Sequence, residues 1–236
     1  MAKAAIERKG RTTASWQKSG EHLQSCHFRP WTGRSTLVMK HRKEVNMMDL
    51  TASAVQTVLH EGYGSAGVAS TVGYVEDGDV RLVIDPGMVR SRSLILDPLT
   101  ARGVAPDQVT DVVFSHHHPD HTLNAALFPN ARFHDHWAIY RDDEWIWRDA
   151  EGYRLSPGIM LIRTPGHTFE DITTLVGTSE GIVAFTHAWN DATSQGDRHA
   201  VDMDALRTAR KRVVSVADII VPGHGPAFIP GPETPL

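Results

Sequence analysis

The chain of 236 residues contains one cysteine, Cys26, which excludes an intramolecular disulfide and a zinc site built from several thiolates. It also lacks any run approaching the ~18 consecutive apolar residues of a membrane-spanning helix, so no membrane partner is expected. Internal repeats, low-complexity tracts and a glycine-rich phosphate loop are absent from the sequence as well. Hydrophobic residues make up 41% of the chain, which is enough for a sizeable core. We therefore expect one enzyme-sized domain with a cytoplasmic location.

Positive charge is concentrated in residues 1–46, which hold ten Lys or Arg against three Asp or Glu, a formal charge of +7. The rest of the chain holds 14 basic and 25 acidic residues, a charge of −11 that agrees with the total of −4. A basic, acid-poor leader is typical of a transit peptide, a nucleic-acid-binding arm or an unstructured tail. We favour the tail, and predict a disordered extension over residues 1–46 and a single domain over residues 47–236.

Residues 116–121 read His-His-His-Pro-Asp-His, and five of these six side chains are potential metal ligands. The apolar run before them predicts a short buried strand, so the histidines begin where that strand ends. His167 and His224 each lie in a Pro/Gly loop that also follows a β-like run. A solvated histidine-rich loop is the alternative for the first segment alone. Because the same construction occurs three times, the sequence predicts a metal site of imidazole and carboxylate ligands.

The ordered motifs Ser-His-His-His-Pro-Asp-His, Thr-Pro-Gly-His-Thr and Val-Pro-Gly-His-Gly-Pro resemble the metallo-β-lactamase superfamily of metal-dependent hydrolases. The resemblance covers about residues 55–226. It implies an α/β (α+β) fold, the four-layer αββα sandwich, in which two sheets pack together with helices outside. The metals of that fold lie at one edge between the sheets.

The resemblance also implies a ligand set of six side chains, three for each of two metals. The first metal is assigned His116, His118 and His167, and the second is assigned Asp120, His121 and His224. Asp85 matches the aspartate of an Asp-x-Gly turn that supports the site from behind in this family. An ordinary turn-forming aspartate is the alternative interpretation of Asp85.

His187 departs from the family pattern, because it stands where the family supplies an aspartate that bridges both metals. A carboxylate binds two cations through two oxygens, whereas one neutral imidazole nitrogen ligates only one, so the second metal should bind more weakly. Three arrangements are open. His187 ligates one ion while hydroxide alone bridges the pair, or it swings out of the site, or the enzyme works with one metal. Asp191 and Asp197, in the same loop, are further candidates to turn inward.

A divalent cation lowers the pKa of bound water enough to supply hydroxide near neutral pH, and it polarises the substrate oxygen. We therefore expect a zinc-dependent hydrolase in which metal-bound hydroxide attacks a small ester, lactone, β-lactam or thioester. Asp120 is the expected catalytic residue, because it orients the nucleophile in addition to ligating. One or two Zn²⁺ ions are the first choice, and Fe or Mn also suits a set without thiolates.

Two alternatives stay open at this stage. Residues 209–226 are similar to a branch of the superfamily linked to RNA cleavage, which suggests a phosphodiesterase or ribonuclease. That branch keeps the bridging aspartate, and the acidic catalytic region disfavours a strong electrostatic grip on nucleic acid, so we favour a small-molecule substrate. The other alternative is a non-catalytic metal-binding module weakened by His187. The sequence does not determine the oligomeric state.

Hydrophobic periodicity and turn residues also predict the elements around these motifs. Expected strands cover residues 55–59, 68–75, 80–84, 172–176, 182–185 and 218–221, and expected helices cover residues 97–103, 124–128 and 203–216. Residues 137–147, rich in aromatic and charged side chains, are expected to form a helix or lid beside the site, or simply to pack in the core.

Overall fold

The computed structural model describes residues 49–236, and the predicted extension over residues 1–46 lies outside them. This part of the chain folds into twelve strands, three α-helices and two short 3₁₀ turns. The strands are β1 (Val55–His60), β2 (Val72–Asp77), β3 (Val80–Ile84), β4 (Asp111–Val113), β5 (Arg132–His134), β6 (Ala138–Arg141), β7 (Glu144–Trp147), β8 (Tyr153–Ser156), β9 (Ile159–Arg163), β10 (Ile172–Thr178), β11 (Gly181–Phe185) and β12 (Ile219–Val221). The helices are α1 (Ser93–Ala101), α2 (Pro119–Thr122) and α3 (Met203–Val214), and the 3₁₀ turns are Pro106–Gln108 and Ala125–Leu127. None of the helices in residues 49–236 has the length and apolar character needed to cross a bilayer.

The strands form two sheets. The first contains β1 to β7 in chain order, and the second has the order β12-β11-β10-β9-β8. In the first sheet β3 and β4 are parallel, so their carboxyl ends share one edge. In the second sheet β11 and β12 are parallel, and β10 is antiparallel to both β9 and β11. The carboxyl ends of β9, β11 and β12 therefore also share one edge.

Alternating side chains divide the core into three layers, as the period of two in a strand requires. Leu82 of β3 and Leu161 of β9 point into the core between the sheets. Val83 points the other way and packs with Leu99 of α1. On the outer face of the second sheet, Met160 packs with residues of α3 such as Leu206. The order of layers is thus helix, sheet, sheet, helix, which confirms the predicted four-layer sandwich.

Most of the predicted elements are confirmed, with four corrections. The strand expected from residue 68 begins at Val72. The helix expected to begin at Pro98, with Asp97 as its cap, begins at Ser93 and contains Pro98. Gly103, in the left-handed conformation with φ of +77°, follows the end of this helix, as expected. The helix expected near residues 124–128 is a single 3₁₀ turn. Residues 137–147 form neither a helix nor packed core, because β6 and β7 make a hairpin whose second strand is exposed.

Asp111, at the start of the strand that leads to the histidine segment, is fully buried and accepts hydrogen bonds from Arg132, His134 and Thr110. Burial alone raises its pKa, but these three partners outweigh it and hold the pKa below its ordinary value. We expect Asp111→Asn to lower the free energy of unfolding by about 3 kcal/mol at neutral pH, because it leaves buried donors without their charged partner.

The stabilisation by Asp111 is complete above the ordinary aspartate pKa and is lost as the pH falls below it, because the folded-state pKa is the lower one. Urea unfolding at neutral and acid pH should therefore show a difference between wild type and variant that shrinks on acidification. Asp79→Asn, at an exposed turn position, is the matched control. Equal stabilities of wild type and Asp111→Asn at neutral pH would contradict this assignment.

Candidate metal centre

The predicted ligands lie in loops at the carboxyl ends of four strands, where the two sheets meet. The segment after β4, which includes α2, carries His116, His118, Asp120 and His121. The loops after β9, β11 and β12 carry one histidine each, namely His167, His187 and His224. All seven side chains belong to groups whose ligand atoms lie within 4.8 Å of one another. Loops far apart in sequence therefore converge on one place.

The first group consists of His116, His118 and His167. The Nδ1 atom of His118 lies 3.0 Å from Nε2 of His116 and 3.0 Å from Nε2 of His167. Nitrogens bound to a tetrahedral zinc ion at about 2.0 Å are separated by about 3.3 Å. The spacing of these three nitrogens thus fits one cation.

Outer hydrogen bonds determine which nitrogen of each ring carries the proton. Asp197 Oδ2 lies 2.5 Å from Nδ1 of His167, so that nitrogen donates and Nε2 keeps its lone pair. The Ser115 hydroxyl donates to Asp85 at 2.6 Å, and it can therefore only accept from Nδ1 of His116, 3.0 Å away. The Nε2 lone pairs of His116 and His167 then both face Nδ1 of His118. Three ring nitrogens that face one another in this way can bind one cation.

The second group consists of Asp120, His121 and His224. Oδ2 of Asp120 lies 3.5 Å from Nε2 of His121 and 3.5 Å from Nε2 of His224. Nδ1 of His121 donates to Asp85 at 2.8 Å, and Nδ1 of His224 donates to the carbonyl oxygen of Ala69 at 2.9 Å. Both inner nitrogens are therefore lone-pair donors, and the buried Nε2 of His121 has no hydrogen-bond partner within the described part of the chain.

His187 lies between the two groups, fully inside the site. Its ring centroid is 4.2 Å from that of His167, 4.8 Å from those of His116 and His121, and 4.9 Å from that of His224. With His116 and His121 it forms a third set of potential ligands. Its buried Nδ1 has no hydrogen-bond partner in residues 49–236. An unpartnered polar nitrogen at this depth costs free energy, and a bound cation would remove that cost.

Burial and the neighbouring histidines keep most of these rings neutral, which is the form that binds metals. Burial is the main reason that the pKa of His116 and that of His187 are well below the ordinary histidine value. Burial also lowers the pKa of His118 and that of His224. His167 differs, because its hydrogen bond to Asp197 outweighs burial and raises its pKa.

Glycine at position 87 lets the turn after β3 lie directly against the histidine segment. A Cβ atom there would lie 1.5 Å from the carbonyl oxygen of Asp120, a distance that no side chain tolerates. That same oxygen accepts a hydrogen bond from the amide of Met88 at 3.0 Å. The backbone amide of Asn124 also contacts this turn, because it donates a hydrogen bond to the carbonyl oxygen of Pro86. The Asp-x-Gly turn thus positions Asp120 as well as Asp85.

Two further histidines of the domain, and the two aspartates considered from sequence, lie away from the cluster or hold it from outside. His134 is buried and bonded to Asp111, and His136 stacks on Trp137. Asp191 turns back on Thr193 in its own loop. Asp197 does turn inward, but it contacts a ligand ring instead of supplying a ligand atom itself. The role of Ser115 was missed, because a serine between a strand and a histidine carries no distinctive pattern.

Asp197 offers a direct test of the outer hydrogen bonds. We expect Asp197→Asn to weaken metal binding at the first group by about 10- to 100-fold, because an amide NH₂ facing His167 favours the wrong ring tautomer. The affinity is measured by competition with a chromophoric chelator. Asp191→Asn, in the same loop but bonded only to Thr193 and Ser194, is the matched control. Unchanged affinity in Asp197→Asn would show that the contact does not orient His167.

A cavity of about 840 Å³ opens beside His224. Its walls come from the segment after β1 and from the loop after β11, and they include Tyr63, Val68, Asn190 and Arg198. The volume is within the range of small-molecule sites, which mix apolar walls with a few polar groups.

The family model described as the metallo-beta-lactamase superfamily matches residues 66–194. Metallo-beta-lactamase domain-containing protein 1 from Xenopus laevis is 35% identical over 187 residues, which cover 72% of this chain and 79% of that protein. The Homo sapiens protein of the same name is 34% identical over 70% of this chain, but the match spans only 65% of its own length. The chain belongs to the metallo-beta-lactamase superfamily, as the motifs predicted.

Solved structures agree on the fold. A Thermotoga maritima protein assigned as a metallo-beta-lactamase superposes with a TM-score of 0.60 at 23% identity, covering 75% of this chain and all of that one. TTHA1623, solved in a di-iron-bound form, has a TM-score of 0.55 at 20% identity and covers 71% of this chain and 92% of its own. AidC, a dizinc quorum-quenching lactonase, has a TM-score of 0.54 at 14% identity, over 70% of this chain and 77% of its own. Both iron and zinc thus occur on this fold.

Proposed function

We propose that this protein is a metal-dependent hydrolase. Its substrate is a small ester, lactone, β-lactam or thioester, which is attacked at the carbonyl carbon. The observation that carries the proposal is the convergence of two sets of ligand side chains whose lone pairs point into the site. In each set, outer hydrogen bonds to residues such as Asp85 and Asp197 hold the ligand rings in place. Such donor sets fit divalent cations, and hydrolysis is the chemistry that these cations support on this fold.

Zinc is the proposed metal, with iron and manganese as alternatives, because the set contains imidazole and carboxylate and no thiolate. His116, His118 and His167 would hold one cation, and Asp120, His121 and His224 would hold the other. A cation held there supplies a Lewis acid that lowers the pKa of a water ligand and polarises the substrate oxygen.

The protein's own groups then orient the reaction. The Asp120 carboxylate lies 3.5 Å from the inner nitrogens of both His121 and His224, and His224 also lines the cavity. We expect this carboxylate to accept a hydrogen bond from the attacking water and to pass the proton to the leaving group. The cavity next to His224 would hold the rest of the substrate.

A small substrate is favoured over nucleic acid by charge. Residues 47–236 carry a formal charge of −11, opposite to what a polyanion-binding surface needs. AidC is a lactonase, and its activity supports a carbonyl substrate here only through the shared fold.

Substrate panels provide the test. The zinc-loaded full chain is assayed on an aliphatic lactone, a β-lactam, a thioester and an activated phosphodiester, with and without chelator. We expect at least one carbonyl substrate to be turned over faster than the phosphodiester, and chelation to abolish the reaction. Cleavage of the phosphodiester alone would favour the nuclease alternative, and no metal-dependent turnover would favour a binding module.

His187 makes a separate prediction about metal number. Because one imidazole nitrogen cannot bridge two cations, we expect the natural chain to bind its second metal more weakly than the first. His187→Asp restores a carboxylate at the centre of the cluster and should raise the affinity for the second metal by about tenfold or more. Titration calorimetry measures both sites. His187→Asn, which is neutral and similar in size to Asp, is the control, and identical metal affinities in all three chains would contradict the prediction.

A further inference from the structure

β7, one edge of the seven-stranded sheet, carries an unusual surface. Its residues are Glu-Trp-Ile-Trp, and all four are exposed. Trp145 is 47% exposed, Ile146 56% and Trp147 66%. An edge strand with one open side and large exposed apolar side chains on both faces is a template for pairing with another chain.

The other sheet edges in residues 49–236 are protected in ways that β7 is not. β1 and β8 each contain a bulge or irregularity, which disturbs pairing with an additional strand. β12 is only three residues long, and its Ile220 already forms a bridge with Phe228. β7 pairs with β6 without interruption and contains neither proline nor lysine. The contrast indicates that the outer edge of β7 is available for pairing with a strand of another chain.

The aromatic surface at this edge is of the size that an interface needs. Tyr140 stacks on Trp145 at 5.2 Å, and Trp137 contacts Trp147 at 4.7 Å, so the rings form one patch. With about 250 Å² for a fully exposed indole, the three tryptophans leave about 400 Å² exposed per chain. A standard interface covers about 800 Å² per partner, and roughly 60% of it is apolar. The patch therefore supplies most of the apolar share.

We propose that two copies of this chain form a dimer by antiparallel pairing of their β7 strands about a two-fold axis. The register follows from the backbone. The amide of Arg148 donates to Trp137 on the β6 side, so the N–H and C=O groups of Trp145 and Trp147 point to the open edge. A two-fold axis perpendicular to the sheet keeps like faces together. We place the axis at Ile146, because only that centre pairs both open-edge residues of β7, Trp145 and Trp147, with residues of the partner's β7.

In this register, Trp145 exchanges two backbone hydrogen bonds with Trp147 of the partner subunit, and the same two bonds occur on the other side of the axis. The tryptophan rings of the two subunits then lie side by side on one face of a continuous sheet. Ile146 and its copy form a pair without backbone hydrogen bonds, with Cα atoms about 4.5 Å apart.

Charge favours the antiparallel arrangement and a second copy as the occupant. The hairpin tip holds Asp142, Asp143 and Glu144 against one cation, Arg141, which pairs with Asp142. The other end of the strand holds Arg148 and Arg163 against one acid, Asp149, which pairs with Arg163. The tip is therefore net negative and the other end net positive. Antiparallel pairing brings the acidic tip of each copy toward the basic end of the other, and parallel pairing would bring like charges together. The acidic tip also disfavours nucleic acid or an anionic lipid surface as the partner.

A designed cross-link tests the register. Ile146→Cys is introduced into a full chain in which the single natural cysteine is replaced, Cys26→Ser, and the protein is exposed to mild oxidant. Two Cα atoms about 4.5 Å apart are within disulfide range, so we expect a covalent dimer that retains the metal-dependent activity of the parent. Ile229→Cys, at a residue that is 80% exposed outside the patch, should form no covalent dimer in the same conditions. Equal cross-linking of both variants would overturn the register.

Sedimentation velocity on the full chain without cysteine changes tests the interface itself. We expect a dimer at micromolar concentration, and Ile146→Lys should raise its dissociation constant by on the order of a hundredfold, because two unpaired charges would meet on the axis. The control Ile229→Lys should leave the dimer intact. A monomeric wild-type chain, or a dimer that tolerates Ile146→Lys, would overturn the proposal regardless of whether the protein is a hydrolase.

Discussion

His116→Ala is expected to reduce kcat/KM on the best substrate of the panel by at least about a thousandfold, the cost of losing a principal electrostatic contribution to catalysis. His116 takes part in two of the three potential ligand sets, with His118 and His167 and with His121 and His187. Its ring is almost completely buried, so alanine leaves a hole that no neighbouring ligand fills. The variant should therefore lose metal as well as turnover.

The measurement is kcat/KM together with zinc content on the same preparations. His136→Ala is the matched control, because His136 is a histidine outside the cluster, between β5 and β6, and belongs to none of the three sets. Turnover by His116→Ala close to that of wild type would show that this histidine is a structural residue and not a ligand.

Asp120→Asn is expected to lower kcat by about 10² to 10⁴ while the first group keeps its metal. The amide has the shape of the carboxylate but lacks its charge, so it binds a second cation weakly and cannot accept a proton. Asp120 is only partly buried, and its Oδ2 lies 3.5 Å from His121 and His224, with no closer polar partner among residues 49–236. That position suits a group that meets the substrate more than one that holds the fold together.

Separate values of kcat and KM, with zinc content and unfolding temperature, decide between these roles. We expect kcat to fall at nearly unchanged unfolding temperature, with metal retained at His116, His118 and His167. Asp204→Asn, on the exposed side of α3, controls for a general effect of removing one negative charge. A loss of turnover that merely parallels a loss of folded protein would contradict a catalytic role for Asp120.

Much of the fold and of the candidate site could be predicted because their signals are local. A histidine directly after a buried strand needs no knowledge of the rest of the chain, and this holds for His116, His167 and His224. The alternation of residues 80–84 likewise locates a strand with one face in the core. The resemblance to the family then predicted that these histidines belong to one metal site.

Contacts between distant segments could not be predicted in the same way. The bond from Asp197 to His167 spans 30 residues, and that from Ser115 to Asp85 spans 30 as well, so each depends on how the loops pack. The β6–β7 hairpin was missed for a different reason. Its turn contains Asp142 at φ of +54° and no glycine, whereas the strong hairpin signals are Asn-Gly and Asp-Gly.

Pro98 misled the prediction of α1 because proline is common in the first turn of a helix. Here the helix starts five residues earlier, at Ser93, and Ile95 and Leu99 on its buried face pack against the first sheet. Tertiary packing thus outweighs the loss of one backbone hydrogen bond at the proline.

The central claim, that imidazoles from separate loops form one cation centre, is tested most directly by counting metal. The full chain and a His118→Ala/His167→Ala variant are loaded with zinc, dialysed together against metal-free buffer, and measured by plasma mass spectrometry. At least one zinc ion per wild-type chain, and its loss from the folded variant, is the predicted result. A wild-type chain that retains no zinc, or a variant that retains as much as wild type, would contradict the claim.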